Sequence, residues 1–406
     1  MRFRLFVPFF LAALLLPARL AGQLTPLSEV FPVSVPEDKP DARAIPMQGV
    51  PAAAALPHGF AVASLRLDST NASIVDGQLV DLSGQPGPSF LGEFLSDGAE
   101  PILEDPAIAA TGTGDFVLAW VEGPYNLLYR RFGRGGVPRG DVIYLTDGEE
   151  SLCSPSVAGN AAGGFVIAWE QCDYPGSVLS LAVRAFNPSG DPATAELQIA
   201  LPGAPGNVGM PRAGLDGTGR FVVIWRQAGA TAADPARLCG RAYGARGGFL
   251  GSPFCIGDLA GTTGGALAVD PAGAFLAVWF GPAASGGQAP LFVRRYQLDG
   301  TPLGDRVQIA TATDPSLLAA SPDGKGNAAL SWREGDRLRI LLVNRNGVAK
   351  GTAVTISGVS NGWEGWITGE TTVNGVALSP SGRLLATWPS GRLILGQLWR
   401  ASGLLP

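Results

Sequence analysis

The amino-acid sequence predicts an all-β fold: a single seven-bladed β-propeller with four-stranded blades, its ring closed by the N-terminal strand joining the last blade. Three observations predict it. An apolar strand ending in Trp recurs at a period near 50 residues, which is the mark of a repeat array or propeller. The 57 Gly and 33 Pro among 406 residues break the chain too often for long helices. The last copy lacks one strand, and the N-terminus carries a segment that matches it.

The recurring strand is clearest at Gly114 to Trp120, with Phe116-Val117-Leu118-Ala119 before the Trp. It returns at Gly164 to Trp169, Arg220 to Trp225 and Ala274 to Trp279, and more faintly at Asn327 to Trp332 and Arg383 to Trp388. A degenerate copy, Gly59 to Ser64, places Ser64 where the others have Trp. The spacings between these end positions are 56, 49, 56, 54, 53 and 56 residues. Apolar side chains on both faces of this strand, here strand b, describe a central strand covered on both sides. Strand a precedes it. Eleven residues before the Trp position stands a small residue, namely Ala53, Ala109, Ala158, Gly214, Ala268 or Ala377. Ala319 is the expected match in the sixth copy, where the turn reads two residues longer. Small side chains there let innermost strands crowd around an axis. Gly- and Pro-rich turns such as Asp270-Pro271-Ala272-Gly273 and Ser321-Pro322-Asp323-Gly324 join strands a and b as hairpins.

Strand c carries a large apolar residue four places before a Gly: Val80, Phe132, Phe186, Tyr243, Tyr296, Val343 and Trp399. An Arg often stands two residues earlier, as Arg130, Arg184, Arg241 and Arg294. Strand d follows, as in Thr301 to Ile309. The last copy ends after strand c, and Thr25 to Val33 aligns with Thr301 to Ile309. The N-terminal segment therefore supplies the missing outer strand, which removes a free sheet edge. The expected organisation is a signal peptide over 1–22 and one propeller over 23–406. Its blades run over roughly 46–97, 101–148, 153–202, 208–259, 263–312 and 314–358, with 370–406 plus 25–35 as the seventh.

The Gly-x-Phe-Val-Val-x-Trp strand followed by Arg-x-aromatic-x-x-x-Gly resembles the tandem propeller repeats of bacterial secreted and cell-surface proteins. The Ser321 to Gly324 turn looks like that of TolB-type propellers. The likeness covers nearly all of the chain after residue 22. It implies the fold and says little of function, because propellers host many chemistries. The Gly-His…Trp-Asp signature of a typical WD40 array is missing.

Residues 1–22 read as a secretory signal peptide. Arg2 and Arg4 precede an apolar run, Leu5 to Leu16, that is too short to span a membrane, and Ala21 and Gly22 follow. The expected location is secreted, periplasmic or extracellular, where disulfides persist. The midpoint of Cys153 and Cys172 falls in the a–b turn of blade 3, and that of Cys239 and Cys255 falls in the c–d turn of blade 4. Both pairs are predicted disulfides across hairpins, rather than zinc ligands, since no C-x-x-C spacing occurs. Asn71-Ala72-Ser73 is a glycosylation sequon, relevant in a eukaryotic secretory route.

Chemistry is sparse. The single His, His58, belongs to a turn and has no Gly-x-Ser-x-Gly elbow to serve. No cofactor and no metal are expected. Acids near the face formed by b–c and d–a connections are Glu122, Glu170, Asp173, Glu334, Asp336, Glu364 and Glu370. Two such carboxyls suffice for glycoside hydrolysis. The longest d–a connection, 358–372, holds Trp363, Glu364 and Trp366, and Tyr125 and Tyr174 fall on the same face. Trp offers a rigid apolar platform with a hydrogen-bond donor, suited to a sugar or a peptide. The leading expectation is a secreted, non-enzymatic binding or scaffold module, a monomeric ring with a glycan or protein ligand on that face. The alternatives are a polysaccharide-acting enzyme, glycosidase or lyase, using the top-face carboxylates, and a structural surface protein. A net charge of −5 argues against nucleic acid as a partner, and no second apolar run provides a membrane span.

Overall fold

The structure, a computed structural model, describes residues 24–33, 51–67, 73–94, 106–122, 126–146, 151–173, 177–199, 208–229, 231, 234–261, 263–283, 287–359, 375–390 and 393–404. The described residues form seven antiparallel sheets. Six blades run over 52–94, 107–144, 151–199, 208–258, 265–313 and 315–357. Each reads a–b–c–d outward, as Ala107–Thr111, Asp115–Glu122, Asn126–Phe132 and Ile143–Tyr144 do in blade 2. In blade 7, Val376–Leu378, Arg383–Ser390 and Leu393–Ala401 are strands a, b and c, and the N-terminal Leu24–Pro26 and Phe31–Pro32 form the outer edge. Among the described residues no helix is long and apolar enough to cross a membrane.

The alignment of the N-terminus with strand d holds in register. Pro302 bridges Tyr296 in blade 5, and Pro26 pairs with the equivalent Trp399 in blade 7. Val307 pairs with Val293, three residues before Tyr296, and Phe31 pairs with Gly396, three residues before Trp399. The ring is thus closed as the repeat requires.

The core lies in the seams, one apolar cluster between each pair of neighbouring blades. Strand b explains why both of its faces are apolar. Phe116, Leu118 and Trp120 pack toward blade 1, while Val117, Ala119 and Val121 pack toward blade 3. Trp120, Trp169, Trp225, Trp279 and Trp332 are all fully buried. The strand-b Phe stacks on the strand-c aromatic in successive blades: Phe116 on Phe132, Phe165 on Phe186, Phe221 on Tyr243, and Phe275 on Tyr296.

Two details of strand a differ from expectation. Pairing opposite the third residue before the Trp position selects Ala109, Ala158, Gly214, Ala268 and Ala377, as anticipated. In blade 6 it selects Ser321, opposite Ala329, and not Ala319, because the a–b turn there has the same length as in blade 5. In blade 1 it selects Ala54, opposite Ala61, and not Ala53, because a two-residue turn, Pro57-His58, joins Leu56 to Gly59. His58 is exposed on that turn.

Arg130 Nη1 donates across the seam to the Leu91 carbonyl of blade 1 at 3.4 Å, whereas the other three strand-c Arg residues serve their own blades. Arg294 Nε donates to the Gly304 carbonyl at 2.8 Å and Arg184 Nε to that of Thr194 at 3.4 Å, while Arg241 lies 3.6 Å over the Phe249 ring. Each fastens the c–d hairpin.

Both disulfides form, Cys153–Cys172 and Cys239–Cys255. Two such bonds fit an oxidising compartment. Cys239 and Cys255 are directly paired across strands c and d. Cys153 pairs with Glu170, so its bond to Cys172 runs diagonally across strands a and b. Replacing Cys239 and Cys255 together by Ser lowers the unfolding free energy by about 2–4 kcal/mol, measured by urea denaturation without reductant. An unchanged midpoint contradicts a stabilising role for this bond.

Candidate functional site

The b–c and d–a connections share one face of the ring, its top. Trp363, Glu364, Trp366, Tyr125 and Tyr174, expected to bind ligand there, lie outside the described residues, as do Glu370, residues 1–22 and Asn71. The side chain of Asp173 does too. The remaining acids separate clearly. Glu334 is committed to structure: Trp332 Nε1 donates to it at 2.8 Å, and Arg339 Nη1 stands 3.8 Å away. Asp336 is exposed beside Arg337. Glu122 is half-buried and accepts the Tyr144 hydroxyl at 3.4 Å.

Glu170 differs from all of these, because it is only 6% exposed. It follows Trp169 on strand b of blade 3 (Phe165–Asp173) and reaches across the seam to strand a of blade 4 (Val208–Leu215). There its Oε1 accepts the Met210 N–H. A Cβ at position 209 would come within 3.3 Å of that oxygen, so Gly209 leaves the approach open. Burial raises the Glu170 pKa above the ordinary carboxyl value. The Met210 N–H, the Arg212 charge and the Ser154 hydroxyl oppose that rise without cancelling it. The carboxyl is thereby pushed toward its neutral form.

The partners of Glu170 sit on two bulges. In strand a of blade 3 the register shifts between Cys153 and Ser156, and in blade 4 between Gly209 and Arg212. A third shift lies between Ser316 and Ala319 in blade 6. Each bulge holds a non-Gly residue with left-handed backbone, fifteen places before its Trp: Ser154 at φ 48°, Met210 at 55° and Leu317 at 51°. Such bulges re-aim side chains and gather near functional sites. Cys153–Cys172 bonds the start of the blade 3 bulge, opposite Glu170, to strand b two residues beyond Glu170. The two Sγ atoms and the Glu170 carboxylate lie within 4.8 Å of one another. Sulfurs bonded to each other offer no thiolate to a metal.

An axial cavity of about 400 Å³ runs between the innermost strands. Its described lining includes two charged residues, Arg212 and Asp323. Asp323 belongs to the a–b turn at the bottom, where Lys325 and Asn327 N–H groups cap it. Arg212 stands toward the top, opposite Ile224. The register-equivalent positions in the other blades are Ala52, Ala107, Ser156, Ala266, Ala319 and Gly375. Arg212 is the single large and charged member of that ring of seven.

The sequence named Glu170 as one of seven acids without foreseeing its burial, and passed over Ser154, Met210 and Arg212. A usable signal was present: a Pro fourteen places before the Trp, as Pro106, Pro155 and Pro211, falls within each of the bulges of blades 3 and 4.

No family model matches the chain, and no curated protein matches it in sequence. Solved structures share its fold. The β-propeller domain of the Trilobed protease from Pyrococcus furiosus is similar with a TM-score of 0.51 at 8% identity, over 89% of this chain and 96% of that one. A puromycin hydrolase complexed with PGG is similar with a TM-score of 0.50 at 15% identity, over 84% of this chain and 50% of that one. The GH93 α-L-arabinofuranosidase of Fusarium graminearum, solved with arabinobiose, gives 0.48 at 14% identity, over 74% of this chain and 93% of that one. At these identities the likeness is one of fold. The leading expectation of a non-enzymatic binding or scaffold module, and with it the expectation of no enzymatic activity, is corrected in one respect: the propellers similar to this one at a TM-score of 0.50 or more occur in a hydrolase and a protease.

Proposed function

We propose that this protein is an exported enzyme acting on polysaccharide, with Glu170 as its proton-donating carboxyl. The observation that carries this reading is the burial of Glu170 in the seam between blades 3 and 4, beside Arg212, a residue of the axial cavity's lining. Glycoside cleavage needs one carboxyl held neutral, to protonate the departing oxygen, and a second held ionised. Burial supplies the first condition at Glu170. The ionised partner comes from Asp173, Glu364 or Glu370, since Glu334 is bound to Trp332 and Arg339. Trp363, Trp366, Tyr125 and Tyr174 stack on the sugar rings. Export removes residues 1–22 and leaves 23–406 as the mature ring, in keeping with the two disulfides and with the resemblance to bacterial secreted repeats and TolB-like turns.

The test is a reducing-sugar assay of the mature protein on a panel of neutral and acidic polysaccharides. The wild type cleaves at least one of them. Glu170→Gln lowers kcat by about 100-fold or more while both disulfides stay formed. A wild type inert on the whole panel, or a variant as active as the wild type, overturns the proposal.

A further inference from the structure

Three strand-a bulges of one kind stand around the ring, with Ser154, Met210 and Leu317 in left-handed backbone. Those of blades 4 and 6 form with no covalent tie to strand b. The bulge alone therefore does not call for a disulfide. Blade 3 has one all the same, and blade 3 is the blade that carries Glu170. Cys153 is the last residue paired before the strand-a bulge, where Ser154 and Pro155 interrupt the a–b ladder. Cys172 stands just past a second irregularity, where the b–c ladder shifts between Gln171 and Cys172. The bond thus spans the two places at which the ladders around Glu170 are broken and hydrogen bonds hold least. It lies against the carboxyl itself, with Cys172 Sγ 3.9 Å from Glu170 Oε2. Next to Cys153, Ser154 is buried, and its hydroxyl is one of the groups that meet Glu170.

We propose that Cys153–Cys172 is an oxidation-dependent latch on the Glu170 site. Closed, it keeps the carboxyl packed between Ser154 and Met210; opened by a dithiol, it lets that pocket come apart while the rest of the ring stays folded. The latch rests on the burial of Glu170, and its effect on activity rests on the polysaccharide reading above. The chemistry is thiol–disulfide exchange. Cys153 is partly exposed and Cys172 is buried, so a reductant thiolate attacks the Cys153 sulfur, and Cys172 leaves as a thiolate that takes up a proton. The second thiol of the reductant then displaces Cys153 and closes the reductant's own disulfide. Two electrons and two protons pass from the dithiol to the two cysteines, and exchange with an oxidised dithiol reverses the step. Once the bond is open, Ser154 can leave its left-handed backbone, a conformation sparsely populated by residues other than Gly. Its departure takes a hydroxyl from Glu170 and admits water to the contact between Glu170 and the Met210 N–H. The pocket is then complete only in an oxidising compartment, where disulfides persist.

The experiment follows amide hydrogen exchange in the mature protein carrying Cys239→Ser and Cys255→Ser, so that dithiothreitol can open one bond alone. Exchange is measured before reduction, after it, and again after reoxidation. Opening raises exchange at Met210 and over residues 151–159 by about 10-fold or more and leaves blades 5 and 6 within about twofold. Reoxidation reverses the change. Cys153→Ala with Cys172→Ala, in a chain that keeps Cys239–Cys255, reproduces the open pattern with no reductant. The wild type under the same dithiol gives the same local rise at Met210, and so decides the matter whether or not the variants fold. Met210 exchange that ignores the dithiol overturns the proposal. So does exchange that rises alike in every blade, because the bond is then a general staple. On a polysaccharide that the oxidised protein cleaves, opening lowers the rate by about 10-fold or more, and reoxidation restores it. Local opening in a protein that cleaves nothing, or that cleaves as fast open as closed, leaves the latch standing and sinks the role given to Glu170. Cleavage lost in Glu170→Gln, in a protein whose Met210 exchange ignores the dithiol, does the reverse.

Discussion

A chain that begins at Pro51 loses cooperative folding. The segment it lacks holds the outer edge of blade 7 by pairing Leu24, Thr25 and Pro26 with Ala401, Arg400 and Trp399, and Phe31 and Pro32 with Gly396 and Leu395. Leu27 and Val33 N–H groups donate to Leu398 and Ile394 carbonyls, and Ser28 Oγ accepts the Leu398 N–H. The same segment seals two seams, because Leu24 belongs to the cluster between blades 6 and 7 and Val33 to that between blades 7 and 1. Each lost hydrogen bond costs about 0.5–1.5 kcal/mol, and each of the two buried apolar side chains about 1.5–3 kcal/mol. Together these approach the whole stability of an ordinary domain, about 5–15 kcal/mol. The exposed edge of strand c also becomes a template for pairing with other chains. Calorimetry should show a melting temperature lower by about 10 °C or more, and light scattering should show association that grows with concentration. A synthetic peptide of residues 24–33 should restore much of the loss. An unchanged melting temperature would remove the closing role assigned to this segment.

That closure was legible because it depends on local pattern. Thr25 to Val33 repeats the spacing of Thr301 to Ile309, and a strand of one register finds only one edge to fit. The two disulfides were legible for the same reason, since a hairpin fixes the partner of each Cys by counting. The candidate site was less so. Whether Glu170 is solvated or buried depends on Met210, forty residues on, and on a bulge in the next blade. The one local difference is that Glu170 stands one place after its Trp, within strand b, whereas Glu122 and Glu334 stand two places after theirs and end the strand; that offset sets the face of the strand but not the burial. The equivalents Ser321 and Ala54 were missed because turn length was read from Gly and Pro alone, whereas strand pairing sets it. Arg212 was readable as the exception at its repeat position, but only after the bulges had placed that position at the cavity.

The protonation of Glu170 leads to a pH-dependent effect on stability that can be measured without a substrate. Its folded-state pKa is raised by burial, ahead of the opposing Met210 N–H, Arg212 and Ser154. Between the ordinary glutamate value and the raised one, the folded state holds a proton that the unfolded state has lost. Stability from this group is therefore fully present at pH below the ordinary value and falls as pH rises through the raised one, by up to about 1.4 kcal/mol per pH unit. Glu170→Gln removes the titrating group while an amide oxygen remains to accept the Met210 N–H. The variant should match the wild type near pH 4 and become the more stable of the two toward pH 8. Urea denaturation of both proteins across that range tests it, and parallel curves, or a variant weaker at pH 8, would show that Glu170 is held ionised. A residue whose removal strengthens the fold at neutral pH is kept at a cost in stability. The seam around it is filled by Val166, Ala168, Phe221 and Trp225, so a neutral group matches those surroundings better than a charged one.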